Sequence, residues 1–163
     1  MARRIASLLQ CRAASARAGR GSRTIVSAVA GYQGSVPGFD SVYGLEILSA
    51  SEEEVRAQVK VTPDHLQPAG LVHGGVLAAI AEAMTSMATW FAVQDLGQTA
   101  QALSNQTSFL RPVTGGTIHR VARRRHRGRT TWVWEVDITD DAGRLCALVR
   151  MTVAVREAPR EEG

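Results

Sequence analysis

The stretch Gln67–Ser86, QPAGLVHGGVLAAIAEAMTS, decides the fold. It opens on proline and glycine, turns into an alanine-rich apolar run, and sets one carboxylate, Glu82, inside that run. The spacing predicts a helix over Val76–Gln94. Leu77, Ile80, Met84, Met87, Ala88 and Phe91 distribute apolar groups to nearly every side of it. A helix apolar all round is buried, in a protein core or in a membrane. Glu82, Thr85, Ser86 and Thr89 within it, and the His-Gly-Gly before it, argue for a protein core.

Strand patterns flank this helix. Before it, Val42–Leu48 is a candidate strand. In SEEEVRAQVKVT, Val55, Ala57, Val59 and Val61 alternate with Arg56, Gln58, Lys60 and Thr62. After it come four more, Thr99–Leu110, Thr117–Arg127, Thr130–Thr139 and Arg144–Val155. Trp132, Trp134, Val136 and Ile138 share one face of the third; Leu145, Ala147, Val149, Met151 and Val153 share one face of the fourth. DDAG, Asp140–Gly143, reads as the hairpin turn between them. Two strands, a long buried helix and four strands predict an α+β fold in which an antiparallel sheet wraps one central helix. Its edge strands need cover, which dimerisation by edge pairing would supply.

At 163 residues the chain has room for one domain with a real core. Cys11 and Cys146 stand far apart, outside any CxxC or Cys/His cluster, so neither a metal site nor a disulfide framework is expected. The net charge of +4 is uneven. Residues 1–39 hold six arginines and no acid, whereas the remainder has 13 basic and 15 acidic residues. Residues 1–23 read as a basic tail, either a mitochondrial transit peptide or a disordered N-terminus. Thr24–Tyr32 reads as a short helix, residues 24–157 as the domain, and residues 158–163 as a disordered end. The expected location is cytoplasmic, with the mitochondrial matrix as the alternative.

Between Leu66 and Gln94 the only formal charge is Glu82. An unpaired buried carboxylate costs several kcal/mol or takes up a proton. One reading pairs it with an arginine. The other makes it a catalytic acid or base, with Thr85 and Ser86 on the same helix face to hold a water. His73-Gly74-Gly75 likewise reads two ways: as an ordinary turn into the helix, or as a set of free N–H groups at a helix N-terminus that can hold an oxyanion. Gly74 and Glu82 are eight residues apart, about 12 Å along one helix. Reacting groups need contacts of about 3 Å. If the two cooperate, Gly74 of one chain meets Glu82 of another, in a dimer with antiparallel helices side by side.

QPAGLVHGG followed by Glu82 and Ser86 resembles the acyl-CoA thioesterases of the hotdog fold. The likeness is to the branch with 4-hydroxybenzoyl-CoA, 1,4-dihydroxy-2-naphthoyl-CoA and phenylacetate-pathway thioesterases. It extends over about residues 36–156, including HRGRTTWVWEVDITDDAGRLCALVRMTV. The resemblance implies hydrolysis of an aryl or medium-chain acyl-CoA by a homodimer, paired further into a homotetramer, with no metal or other cofactor. It implies Glu82 as nucleophile or general base, Gly74 N–H polarising the partner's thioester carbonyl, Gln67 and His73 orienting the thioester, and Ser86 positioning water. Gly75 is placed with the substrate. His126, Arg127 and Arg129 are placed at the phosphates of coenzyme A, while the arginines of HRVARRRHRGR (His119–Arg129) otherwise read as a solvated strand and turn. That run lacks interleaved aromatics, so nucleic acid is not an expected partner, and the polar residues of the central helix argue against a membrane. Asn105 and Arg111 read as structural. A non-catalytic acyl-CoA or lipid binder on the same fold is the alternative, and Glu82 argues against it.

Overall fold

A computed structural model describes residues 39–159. The basic segment 1–23, the helix expected over Thr24–Tyr32 and residues 160–163 lie outside the described residues. Six strands, β1 (Glu46–Ala50), β2 (Glu54–Lys60), β3 (Gln98–Phe109), β4 (Thr117–Arg127), β5 (Thr131–Thr139) and β6 (Leu145–Glu157), surround one helix, α1 (Gly74–Val93). All pairings are antiparallel, in the order β1-β2-β4-β5-β6-β3. This is the hotdog fold. A helix long and apolar enough to cross a membrane is here wrapped by a sheet.

Period-2 alternation sets which face of the sheet meets the helix. Val55, Ala57 and Val59 of β2, Trp132, Trp134, Val136 and Ile138 of β5, and Ala147, Val149, Met151 and Val153 of β6 are all buried. They close on Leu77, Ala81, Met84 and Ala88 of α1. The two tryptophans stack at 6.4 Å between centroids. The Trp134 indole N–H donates to Thr89 Oγ1 at 3.0 Å, and that hydroxyl donates to Thr85 O at 2.8 Å, so no polar atom of this group is stranded under the helix.

Four sequence expectations are corrected. Val42–Gly44 is a turn, and β1 begins only at Glu46. Leu145 is exposed, because the β5–β6 register shifts beside Ile138 and Thr139 and turns Cys146 inward instead. Arg120, read as solvated, is buried at 1% exposure. It lies between Ile118 and Ala122 on the inward face of β4. Finally, α1 is not covered all round: Val76, Ala79, Glu82, Ser86, Met87 and Trp90 remain partly open. Beside that open face runs β3, an edge strand of twelve residues whose Leu103 and Phe109 are exposed.

Candidate active site

The loop into α1 is built from its own backbone. Gln67 N donates to Leu71 O at 2.7 Å, and Gly70 N to Gln67 O at 2.8 Å. Gly70 takes φ 78°, where a side chain would be strained. The Gln67 Oε1 accepts from Ala69 N at 2.9 Å, which leaves its amide protons uncommitted among the described residues. Two bonds fix the loop to the fold: Val72 N donates to Val113 O and His73 N to His65 O, both at 2.8 Å. The buried His65 ring braces the other side, accepting from Thr62 N through Nδ1 at 3.1 Å and lying 3.4 Å from Val42 O through Nε2.

His73 caps α1. Its Nδ1 accepts from Gly75 N at 2.9 Å, so Nδ1 is unprotonated and the exchangeable proton of the neutral ring sits on Nε2. Gly75, placed with the substrate by sequence, therefore has its N–H occupied. The Gly74 N–H has no acceptor among the described residues and stands in the first turn, at the positive end of the helix dipole. A Cβ on Gly74 would come within 2.8 Å of the Phe109 ring, so glycine allows the end of β3 to close over the helix start.

Two turns on, Glu82 is half-buried on the open face of α1. Ser86 Oγ donates to its Oε1 at 3.3 Å, as the i+4 spacing requires. Thr85 does not join them: it is fully buried, and its hydroxyl bonds back to Ala81 O at 2.8 Å and Glu82 O at 3.2 Å. Asn105 on β3 donates to Ala78 O at 2.9 Å and so clamps the helix one turn before Glu82. Beside the helix, Tyr43 is buried against Ile80 and Ala83, and its hydroxyl donates to Asp40 Oδ1. Burial pushes the Tyr43 pKa far up; the bond to Asp40 and the charges of Asp40 and Glu82 push it further, while Arg120 pulls it back.

Gly74 and Glu82 sit on one unbroken helix, so within a chain they remain about 12 Å apart. His126, Arg127 and Arg129 are farther still. Residues 61 and 72 bond to Gly116 and Val113, just before β4, whereas Arg127 closes its other end against Glu52. Arg127 also lies 5.0 Å from the Trp132 ring centroid. Eleven residues of strand separate these ends, roughly 35 Å.

Residues 69–147 match the thioesterase superfamily. Rv1847 of Mycobacterium tuberculosis is 39% identical over 111 residues, 67% of this chain and 79% of that protein. Its solved structure covers 75% of this chain and 98% of its own, with a TM-score of 0.71 and 36% identity. The chain belongs to the thioesterase superfamily. The proofreading thioesterase EntH of Cronobacter turicensis is 35% identical over 112 residues, 69% of this chain and 81% of that one. The thioesterase HI1161 of Haemophilus influenzae superposes with a TM-score of 0.70 at 31% identity, covering 76% of this chain and 86% of its own. Thioester hydrolysis is thus the chemistry of the hotdog chain described here. Within this thioesterase, sequence reasoning missed His65, Tyr43 and Arg120. Arg120 carried a signal: the alternation Ile118, Arg120, Ala122 sets it inward.

Proposed function

We propose that the chain hydrolyses an aryl or medium-chain acyl-CoA to the free acid and coenzyme A, at a site shared by two copies. The observation that carries this reading is Glu82, half-buried and bonded to Ser86, on the face of α1 that the protomer's own sheet leaves partly open. A second copy related by a twofold axis perpendicular to β3 would pair the two β3 edges antiparallel and lay its α1 antiparallel to the first. Its Gly74 N–H would then meet the thioester carbonyl held at Glu82.

In the general-base route Glu82 takes a proton from a water held by Ser86, and the hydroxide adds to the carbonyl carbon. The oxyanion that forms is stabilised by the Gly74 N–H and the helix dipole. The C–S bond then breaks, and the departing thiolate takes a proton from the Glu82 carboxyl or from His73 Nε2. In the nucleophilic route Glu82 itself attacks, the thiolate leaves, and water cleaves the resulting anhydride. Neither route needs a resident metal or cofactor. On the same reading the coenzyme A phosphates lie against the β4–β5 turn, where His126 and Arg129 are exposed and Arg127 would exchange Glu52 for phosphate. Assembly as a homodimer, doubled to a homotetramer, and a cytoplasmic location go with it.

Glu82→Gln keeps the shape of the side chain and removes the base. The expected result is a loss of about a hundredfold or more in kcat on every acyl-CoA turned over by the unmodified chain. Undiminished turnover would rule out Glu82. Single turnover in 18O-water tests the nucleophilic route: label in the Glu82 carboxylate requires an anhydride opened by water at the Glu82 carbonyl, which the general-base route never forms.

A further inference from the structure

Arg120 is a buried cation that this hydrolysis does not use. It is 1% exposed, and Nε, Nη1 and Nη2 all lack a hydrogen-bond partner among the described residues. Such a group is strongly unfavourable in a core unless something pairs with it. Burial pulls its pKa down to about 9, which still leaves it charged at neutral pH. The sheet makes room for it. The residue opposite on β2 is Ala57, and the next inward residue of β4 is Ala122. A leucine or methionine would fill that space without a charge to satisfy.

Among the described residues no carboxylate is hydrogen-bonded to it. Asp40 accepts the Tyr43 hydroxyl, Glu82 accepts Ser86, and residues 1–39 contain no acid. Yet Arg120 is not remote from Glu82. Tyr43 packs on α1 at Ile80 and Ala83, next to Glu82, and its hydroxyl senses both the Glu82 and the Arg120 charge. Tyr43 is also the buried end of an exposed turn, with Phe39 and Val42 open to solvent.

We infer that Arg120 receives the far end of the acyl group and that this end carries a carboxylate, which makes an ω-carboxyacyl thioester the substrate class. The planar fork of a guanidinium takes a carboxylate with two parallel hydrogen bonds. In a site closed to water, an uncharged acyl chain of equal length would leave the cation unpaired, and that difference is the basis of selection. The inference rests on the Glu82 reading, which fixes the reacting end of the substrate.

The experiment compares kcat/KM for glutaryl-, adipoyl- and suberoyl-CoA with pentanoyl-, hexanoyl- and octanoyl-CoA. The expected result is a preference of about tenfold or more for the carboxylated member of at least one pair. Arg120→Met brings that ratio to one or below, mainly through KM, and Arg120→Lys restores part of it. A preference for the uncharged member in all three pairs overturns the inference. So does an Arg120→Met variant that lowers both classes by the same factor. Should that variant not fold, inhibition of the unmodified chain decides: adipate stronger than hexanoate supports the carboxylate site, and equal inhibition overturns it. Glu82→Gln run on the same panel separates the two proposals. Failure of the Glu82 reading appears as retained turnover on all six thioesters, whatever their charge preference.

Discussion

His73 commits Nδ1 to the N–H of Gly75, and the ring can keep that bond only while Nδ1 is unprotonated. Capping and any role for Nε2 can therefore be separated. His73→Ala removes the cap and is expected to cost about 1 kcal/mol of stability in chemical denaturation. His73→Asn keeps a capping acceptor, so lost turnover without lost stability in that variant assigns the remaining effect to Nε2. Gly74→Ala has a different signature. The Phe109 ring it would strike is 57% exposed and can swing away, and alanine is the better helix former, so the melting temperature should hold or rise. Turnover should fall, because the added methyl crowds the N–H that a carbonyl would approach. Arg120 is the inverse case to a packing residue. Arg120→Met replaces an unpaired cation by a side chain of similar reach, and is expected to stabilise the fold by about 1–4 kcal/mol in urea titration.

Helix α1 shows how an element can be apolar along its whole length and still carry polar chemistry. Each hydroxyl under the sheet is spoken for: Thr85 by Ala81 O, Thr89 by Thr85 O and by the Trp134 indole. Thr89→Val leaves the Trp134 N–H buried without an acceptor and should cost about 1–3 kcal/mol in thermal or urea unfolding. The helix and six strands were legible in the sequence because their periods are strong, as in Trp132-x-Trp134-x-Val136-x-Ile138. The antiparallel wrapping followed from element order. What was not legible depended on contacts between distant segments. Arg120 is the exception: its phase against Ile118 and Ala122 sets it apart from Arg123, whose partners Glu54 and Asp137 lie on the outer face. The β5–β6 register shift that exposes Leu145 leaves no mark in a run of alternating residues. For the site, the linear order held Gln67, His73, Gly74, Glu82 and Ser86 together, but not the His65 ring that braces their loop from behind.

At the scale of the whole molecule the two sheet edges differ. β1 is five residues long, whereas β3 is twelve residues long and offers a flank, unpaired among the described residues, beside the open face of α1. If two chains join there and share each site, two inactive variants can repair each other. Glu82→Gln mixed with a Gly74 variant by co-expression should recover about a quarter of the unmodified sites, since half the dimers are mixed and each holds one intact pair. Separate expression followed by mixing below the dissociation rate should recover none. Strand order has a further effect on how the chain is made. β3 follows α1 directly but pairs with β6, the last strand described. On the ribosome, the residues that carry Gly74 and Glu82 emerge before β3, and that strand then waits some thirty-five residues for its only partner among the described residues. Until Leu145–Glu157 has left the exit tunnel, the nascent sheet is open along the flank of β3 that faces β6. A chain stopped short of β6 should accordingly be captured by chaperones or proteases.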